Sequence, residues 1–145
     1  GNERVVRRWR KLAYTPEGHR RLNRTSHDTA ATDDPTLVWS PTYSKVSGEL
    51  PLDESIHPFV IHRGHDPVSF VRFELTVSTA GTVGLNFGDV GGLTLWISPR
   101  FAQDFVAGKH TFTLAINRKM RTTPGRVELV DVENSPARAE LFSGK

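Results

Sequence analysis

The feature that most constrains the fold is a strict alternation of apolar and polar side chains in the middle of the chain. Every second residue from 71 to 77 is apolar, and the residues between them are polar. A period of two places successive side chains on opposite faces of an extended chain, so this run predicts a half-buried β-strand. The same period returns at 83–87, 93–97 and 112–116, and the runs are separated by turn residues. We therefore predict an all-β fold, an antiparallel, jelly-roll-like β-sandwich.

Weaker signals extend this pattern in both directions. Residues 91–117 read as two strands joined by a loop, and a further strand is predicted at residues 127–129, after a Pro-Gly turn. Shorter strand candidates lie at 37–39, 46–48 and 59–61. The polar stretch 25–35 has no period and is interpreted as a linker or loop.

The first 36 residues differ from the rest in charge and in period. Residues 1–24 hold eight Arg and Lys against two Glu, a net charge of +6, whereas the whole chain of 145 residues carries +3. The spacing of Val5, Trp9, Leu12 and Ala13 predicts a short amphipathic helix, which should pack on the domain or fray. We therefore divide the chain into a basic, partly helical arm with a linker (1–36) and a β-sandwich module (37–145).

A second helix is predicted to start at Thr15-Pro16. Threonine is a preferred N-cap residue, and proline is favoured at the first helical position.

Several chemistries have no signature in the sequence. The chain contains no cysteine, which removes disulfides, thiol catalysis, thiolate zinc sites and covalent haem. No apolar run approaches the roughly 20 residues that cross a bilayer. The sequence also lacks a nucleophile elbow, a phosphate-binding glycine loop and a zincin helix. We therefore expect a non-enzymatic domain that has no cofactor of its own.

The segment 57–66 is the candidate for a metal site. His57, His62, His65 and Asp66 contain metal-ligating groups, but their stretch also holds glycine and proline, so we expect a loop with solvated or locally bonded histidines. No metal site is predicted.

His110 is in phase with the apolar residues of its strand. A catalytic base needs an orienting carboxylate, and Asp104 is the nearest one in sequence. Glu74, Asp89 and Asp104 could supply a glycosidase pair, but nothing selects two of them. A structural role is expected for His110, and no catalytic residue is assigned.

Aromatic side chains are better candidates for a binding face. Trp39, Tyr43 and Trp96 are considered, and an exposed ring beside polar groups suits sugar stacking or a protein contact. Trp96 lies opposite the apolar face of its strand, although burial under residues 98–105 is the favoured alternative for so large a ring. With polar loop residues added, the candidate ligand-binding set is Trp96, Tyr43, Asn86 and Asp89.

The basic arm offers a different hypothesis. Arg7, Arg8, Arg10 and Lys11 belong to a segment that resembles a basic surface helix, and such a helix binds anionic lipid or nucleic acid. The rest of the chain is net acidic and has no nucleic-acid fold signature, so docking on its own or a neighbouring domain is favoured. A nucleic-acid partner is not expected.

Four segments carry a resemblance to known proteins: WSPTYSKVSGELPLDE, FVRFELTVSTAGTVGLNF, GLTLWI and VAGKHTFTLAINR with the following RVELVD. With them, residues 37–145 resemble the non-catalytic C-terminal β-sandwich of large exported bacterial haem-binding and sorbosone-dehydrogenase-like proteins. A propeller and a c-type cytochrome domain commonly precede that module. The resemblance implies an accessory module of an exported, redox-active parent protein, with neighbouring domains as its partners.

The same region is distantly similar to the protective-antigen-type lectin module. Residues 92–97 and 106–110 match its two later motifs, but Ser98 and Pro99 stand where that module usually has Asp-Gly. Lectin-type members hold calcium with acidic loop residues, so this departure counts against calcium-dependent sugar binding. The alternative function is a carbohydrate-binding module that uses exposed aromatic and polar loop residues.

Overall fold

The computed structural model describes residues 4–61, 64–88, 91–95, 102–121 and 125–141. Within them, nine strands form two antiparallel sheets, and the predicted all-β sandwich is confirmed. The helices are α1 (Pro16–Arg24) and a 3₁₀ helix (His27–Ala31). The strands are β1 (Arg8–Leu12), β2 (Trp39–Tyr43), β3 (Val68–Thr79), β4 (Gly81–Asn86), β5 (Leu93–Leu95), β6 (Ala102–Phe105), β7 (Gly108–Asn117), β8 (Glu128–Val130) and β9 (Arg138–Leu141).

The larger sheet is built around β3. Its strand order is β2-β1-β3-β7-β5, and β9 also pairs with β3. β7 follows one edge of β3 from residue 68 to 77. The other edge is shared, because β1 pairs with residues 71 and 72 whereas β9 pairs with residues 75–79. The length of β3, 12 residues, is what allows two strands to lie in tandem along one edge.

The smaller sheet has the order β6-β4-β8 and packs its apolar face on the larger sheet. Phe73 and Phe112 of the larger sheet stack with ring centroids 4.8 Å apart. Phe87, directly after β4, and Phe105 of β6 reach these two rings across the interface. The predicted apolar runs therefore form the main core, where aromatic contact adds to the burial of apolar surface.

The interpretation of residues 91–117 as two strands joined by a loop is only partly right. β5 and β7 do pair in the larger sheet. The segment between them, however, also contributes β6, which pairs with β4 in the smaller sheet. The chain therefore crosses from one sheet to the other and back within these residues.

The helix predicted from Val5, Trp9, Leu12 and Ala13 is wrong. Residues 8–12 form β1, an internal strand between β2 and β3. The Trp9 ring is 2% exposed and meets Phe73 edge-on at 5.3 Å, so packing against the sheet overrides the helical spacing. The arm therefore supplies part of the main core.

The second helix starts as predicted. Pro16 is the first residue of α1, and the hydroxyl of the N-cap residue Thr15 accepts a hydrogen bond of 2.9 Å from the Gly18 N–H. None of the described helices is long and apolar enough to cross a membrane.

Two shorter predictions need correction. Residues 46–48 form a turn, not a strand, and Gly48 has a φ of 92°. The segment 25–35 is not only a loop, since it contains the 3₁₀ helix. Ala30 of this helix is fully buried in a second apolar cluster, which lies on the outer side of the larger sheet with Leu12, Leu22 and Phe70.

The position of Trp9 leads to a test on stability. We expect Trp9→Ala to lower the free energy of unfolding by about 3–5 kcal/mol, because it removes a buried ring from the core. The neighbouring Arg8→Ala should cost about 0.5 kcal/mol, since Arg8 is only half-buried. Urea unfolding of both variants measures the difference. Equal effects would mean that β1 is a dispensable arm.

Candidate ligand-binding surface

Among the described residues, those that cover the outer face of the larger sheet lie at one end of it, and the other end is left open. The helical segment and residues 56–61 cover the end that contains Leu12, Phe70 and Ala115. Side chains of Cα partners on antiparallel strands point to the same side, so the register identifies the residues of the open end. We call this open end the Tyr43 face; it comprises Arg8, Arg10, Pro41, Tyr43, Glu74, Thr76, Lys109 and Thr111.

Tyr43 is the most exposed aromatic residue described, with 56% of its surface accessible. It ends β2, an edge strand, and its Cα partner on β1 is Arg8. The next outward pair along the same two strands is Pro41 and Arg10. The exposed Tyr43 and two arginines therefore lie on the same side of neighbouring strands.

Glu74 links β1 and β7 across the middle of this face. Its carboxylate lies 3.2 Å from the Arg10 guanidinium and 3.9 Å from the Lys109 ammonium. Lys109 keeps 65% of its side chain exposed and Glu74 only 22%. The hydroxyl-bearing residues Thr76 and Thr111 are exposed on the same strands. The face therefore offers an aromatic ring, cations, one paired carboxylate and hydroxyl groups.

Arg72 marks the border between the open and covered ends. Its Nε donates to the Thr113 hydroxyl at 3.0 Å, and its Nη2 donates to the carbonyl oxygens of Ala30 and Thr32, both at 2.7 Å. The guanidinium carbon lies 4.0 Å from the centroid of the Trp39 ring. Burial lowers the pKa of Arg72 below its usual value. These contacts hold the 3₁₀ helix in place along one border of the Tyr43 face.

The four predicted ligand-binding residues are not gathered at one place. Tyr43 ends a strand of the larger sheet, whereas Asn86 ends β4 in the smaller sheet. The Asn86 Oδ1 atom accepts a hydrogen bond of 2.8 Å from the Gly88 N–H and so holds a turn. Trp96 and Asp89 lie outside the described residues.

The predicted basic patch is divided between two faces, because β1 is a strand. Arg8 and Arg10 point outward, whereas the alternation places Arg7 and Lys11 on the opposite side. Arg7 donates to the carbonyl oxygens of Lys45 and Val46 at 2.7 and 2.6 Å, and thereby holds the turn after β2. From the sequence alone, Arg8 and Arg10 were not expected near Tyr43. If RRWRKL (residues 7–12) is taken as a strand, its period of two places Arg8 and Arg10 on one face.

Two of the residues considered for catalysis are held in local contacts. His110 Nε2 lies 2.8 Å from the Val106 carbonyl oxygen, and its ring meets Phe105 edge-on. Asp104 accepts a hydrogen bond from the Thr82 hydroxyl. Among the described residues, no three His, Asp or Glu side chains are placed to hold a metal ion; His62 lies outside them.

A second ring cluster lies where α1 meets the segment 57–60. The Tyr14 ring is 4.9 Å from His57 and 5.8 Å from His19, and Phe59 packs against His57 at 4.6 Å. His19 Nε2 lies 3.1 Å from the Val60 carbonyl oxygen. Burial lowers the pKa of His57 below 6.5, and repulsion from His19 adds to the effect.

A polar groove of about 450 Å³ lies between β4, β8 and β9. The Arg4–Asp131 ion pair, 3.2 Å long, lies at this groove. The Ser135 hydroxyl in its wall donates to the Thr82 carbonyl oxygen and accepts from the Ala137 N–H. The described contacts of Ser135 therefore serve the fold.

The role of Arg72 in holding the 3₁₀ helix can be tested by substitution. We expect Arg72→Met to lower the free energy of unfolding by about 2–4 kcal/mol, because the Ala30 and Thr32 carbonyl groups lose their donor. Hydrogen exchange of residues 27–32 should rise at the same time. Arg10→Met, at the Cα partner of Arg72, is the matched control and should cost about 1 kcal/mol or less. Unchanged exchange in Arg72→Met would contradict the role of Arg72.

His57 gives a test of pH dependence. Its pKa is lower in the folded chain than in the unfolded chain, so the unfolded state binds more protons at mildly acidic pH. The stabilising contribution is complete above pH 6.5 and is lost as the pH falls through the folded-state pKa. We expect the free energy of unfolding to fall between about pH 7.5 and about pH 5.5, and to fall less in His57→Gln. Equal slopes for the two proteins would refute this assignment.

Comparison of the chain with known protein families, with curated proteins and with solved structures finds no match. The candidate surface therefore rests on the geometry of its own residues. The resemblance of residues 37–145 to the exported β-sandwich module stays a prediction.

Proposed function

We propose that the chain is a non-catalytic accessory module of a larger exported protein and that it works as a binding domain. Two features support this proposal. The sequence of residues 37–145 resembles a module of that kind, from parents that are exported and carry redox domains. Of the side chains considered for catalysis, His110 and Asp104 are engaged in separate local contacts.

Carbohydrate is the ligand class that the geometry favours most, and the exposed Tyr43 ring is the observation that carries it. A ring that is 56% exposed on a sheet offers a flat apolar surface for the C–H face of a sugar. Polar side chains surround it, as sugar hydroxyl groups require. Contact with a neighbouring domain of the parent protein is the second candidate, which Val46 favours because it is 93% exposed at a turn held by Arg7.

Retention on polysaccharides tests the first candidate. We expect the wild-type chain to be retarded by at least one member of a broad panel in affinity electrophoresis. Tyr43→Ala should weaken that binding by about tenfold or more, because the stacking surface is lost. Tyr43→Phe should keep most of it, since the ring remains.

Tyr14→Ala is the matched control, because Tyr14 is also half-exposed, at 49%, but lies in the other ring cluster. It should bind like the wild type. Absence of retention on every polysaccharide, or equal losses in the two alanine variants, would refute carbohydrate binding at the Tyr43 face.

A further inference from the structure

We propose that the Tyr43 face binds an anionic oligosaccharide, one that carries carboxylate or sulfate groups on some of its sugar units. This inference rests on the proposed carbohydrate-binding function and specifies the class of ligand. It depends on the charges beside the ring and on their arrangement across the strands.

The charge next to the Tyr43 ring is positive. Arg8 is its Cα partner, and Arg10 follows two residues later on the same side of β1. Arginine presents a planar fork of donors that matches carboxylate and sulfate oxygens. The Arg10 guanidinium lies 3.2 Å from one carboxylate oxygen of Glu74, and 37% of the Arg10 side chain is exposed. A bound anionic group therefore meets two guanidinium groups beside the stacking ring.

The positive charge continues across the sheet. Lys109, on β7, is 65% exposed and lies 3.9 Å from Glu74. Neighbouring strands are about 4.8 Å apart, so a ligand that runs from Tyr43 on β2 over β1 and β3 to Lys109 on β7 spans about 14 Å. The exposed Thr111 hydroxyl lies on this route. That length suits several linked sugars, with contacts for both charged and neutral units.

The acidic groups of this side argue against a densely charged polymer. Glu74 lies at the centre of the face, between Arg10 and Lys109, and Glu140 lies at its border opposite Thr76. A chain with a charge on every unit, such as nucleic acid, would meet repulsion there. A saccharide can place a hydroxyl group next to Glu74 and an anionic group next to the arginines.

Matched pairs of ligands test the proposal. The probes are hyaluronan and unsulfated chondroitin oligosaccharides, which carry a carboxylate on every second sugar unit, each beside its carboxyl-methylated form, which has the same backbone without the charge. Isothermal titration should show that at least one acidic probe binds and that its methyl ester binds about tenfold more weakly or worse. Raising the salt from about 50 to about 200 mM should weaken only the acidic form.

Three variants locate the site. The double variant Arg8→Gln with Arg10→Gln should reduce binding of the acidic probe to the level of its methyl ester, whereas Tyr43→Ala should weaken both forms. Arg126→Gln is the matched control, because its side chain is 44% exposed, close to that of Arg10, but it lies outside the Tyr43 face and pairs with Glu128 of β8. It should bind like the wild type.

The possible failures are distinguishable. Equal binding of an acidic probe and its methyl ester would overturn this inference and leave the proposed carbohydrate function standing. Binding to none of these probes, together with no retention on the polysaccharide panel, would refute both. Binding of duplex DNA as tight as that of the acidic probe and insensitive to Tyr43→Ala would also overturn it, because the face would then attract any polyanion.

Discussion

A buried guanidinium on the central strand determines how much of the larger sheet is covered. Arg72 cannot leave its donors unpaired inside the protein, since burying a polar group without a hydrogen bond costs several times what the bond contributes. Its acceptors are the Thr113 hydroxyl and the carbonyl oxygens of Ala30 and Thr32. The requirement fixes the 3₁₀ helix at this position. The outer face is consequently closed on one side of Arg72 and open on the other.

Arg118 applies the same principle to a second irregular segment. Its guanidinium donates to the carbonyl oxygens of Leu52 and Ile56 and to the Ser69 hydroxyl, and burial lowers the pKa of the group. Both arginines use neutral oxygens as acceptors, so no carboxylate has to be desolvated with them. The segments that contact Arg72 and Arg118 are thus held on the sheets by hydrogen bonds from these two arginines. The main core depends instead on aromatic packing between the sheets.

Sequence alone predicts the elements whose burial follows a regular period. The strand around residues 71–77 has one apolar and one polar face, and it was predicted correctly. The apolar residues of the β1 segment also fit the spacing of a helix, and only the pairing with β2 and β3 selects a strand over a helix. β6 and β9 have four residues each, too few to show a period. Arg72 occupies a polar position of an alternating strand, so nothing local indicates that it is buried. Tyr43 was identified, but its neighbours Arg8 and Arg10 lie more than 30 residues away in sequence.

The exposure of Tyr43 has a physical cost that supports a binding role. An edge strand with an exposed apolar ring is prone to pair with other chains. This edge is protected by Pro41, which has no N–H to donate, and by the charges of Arg8 and Arg10 on the adjoining strand. Because the edge is protected in this way, the Tyr43 ring stays accessible to solvent. A side chain needed only for packing would be placed among the buried rings, as Trp9 is.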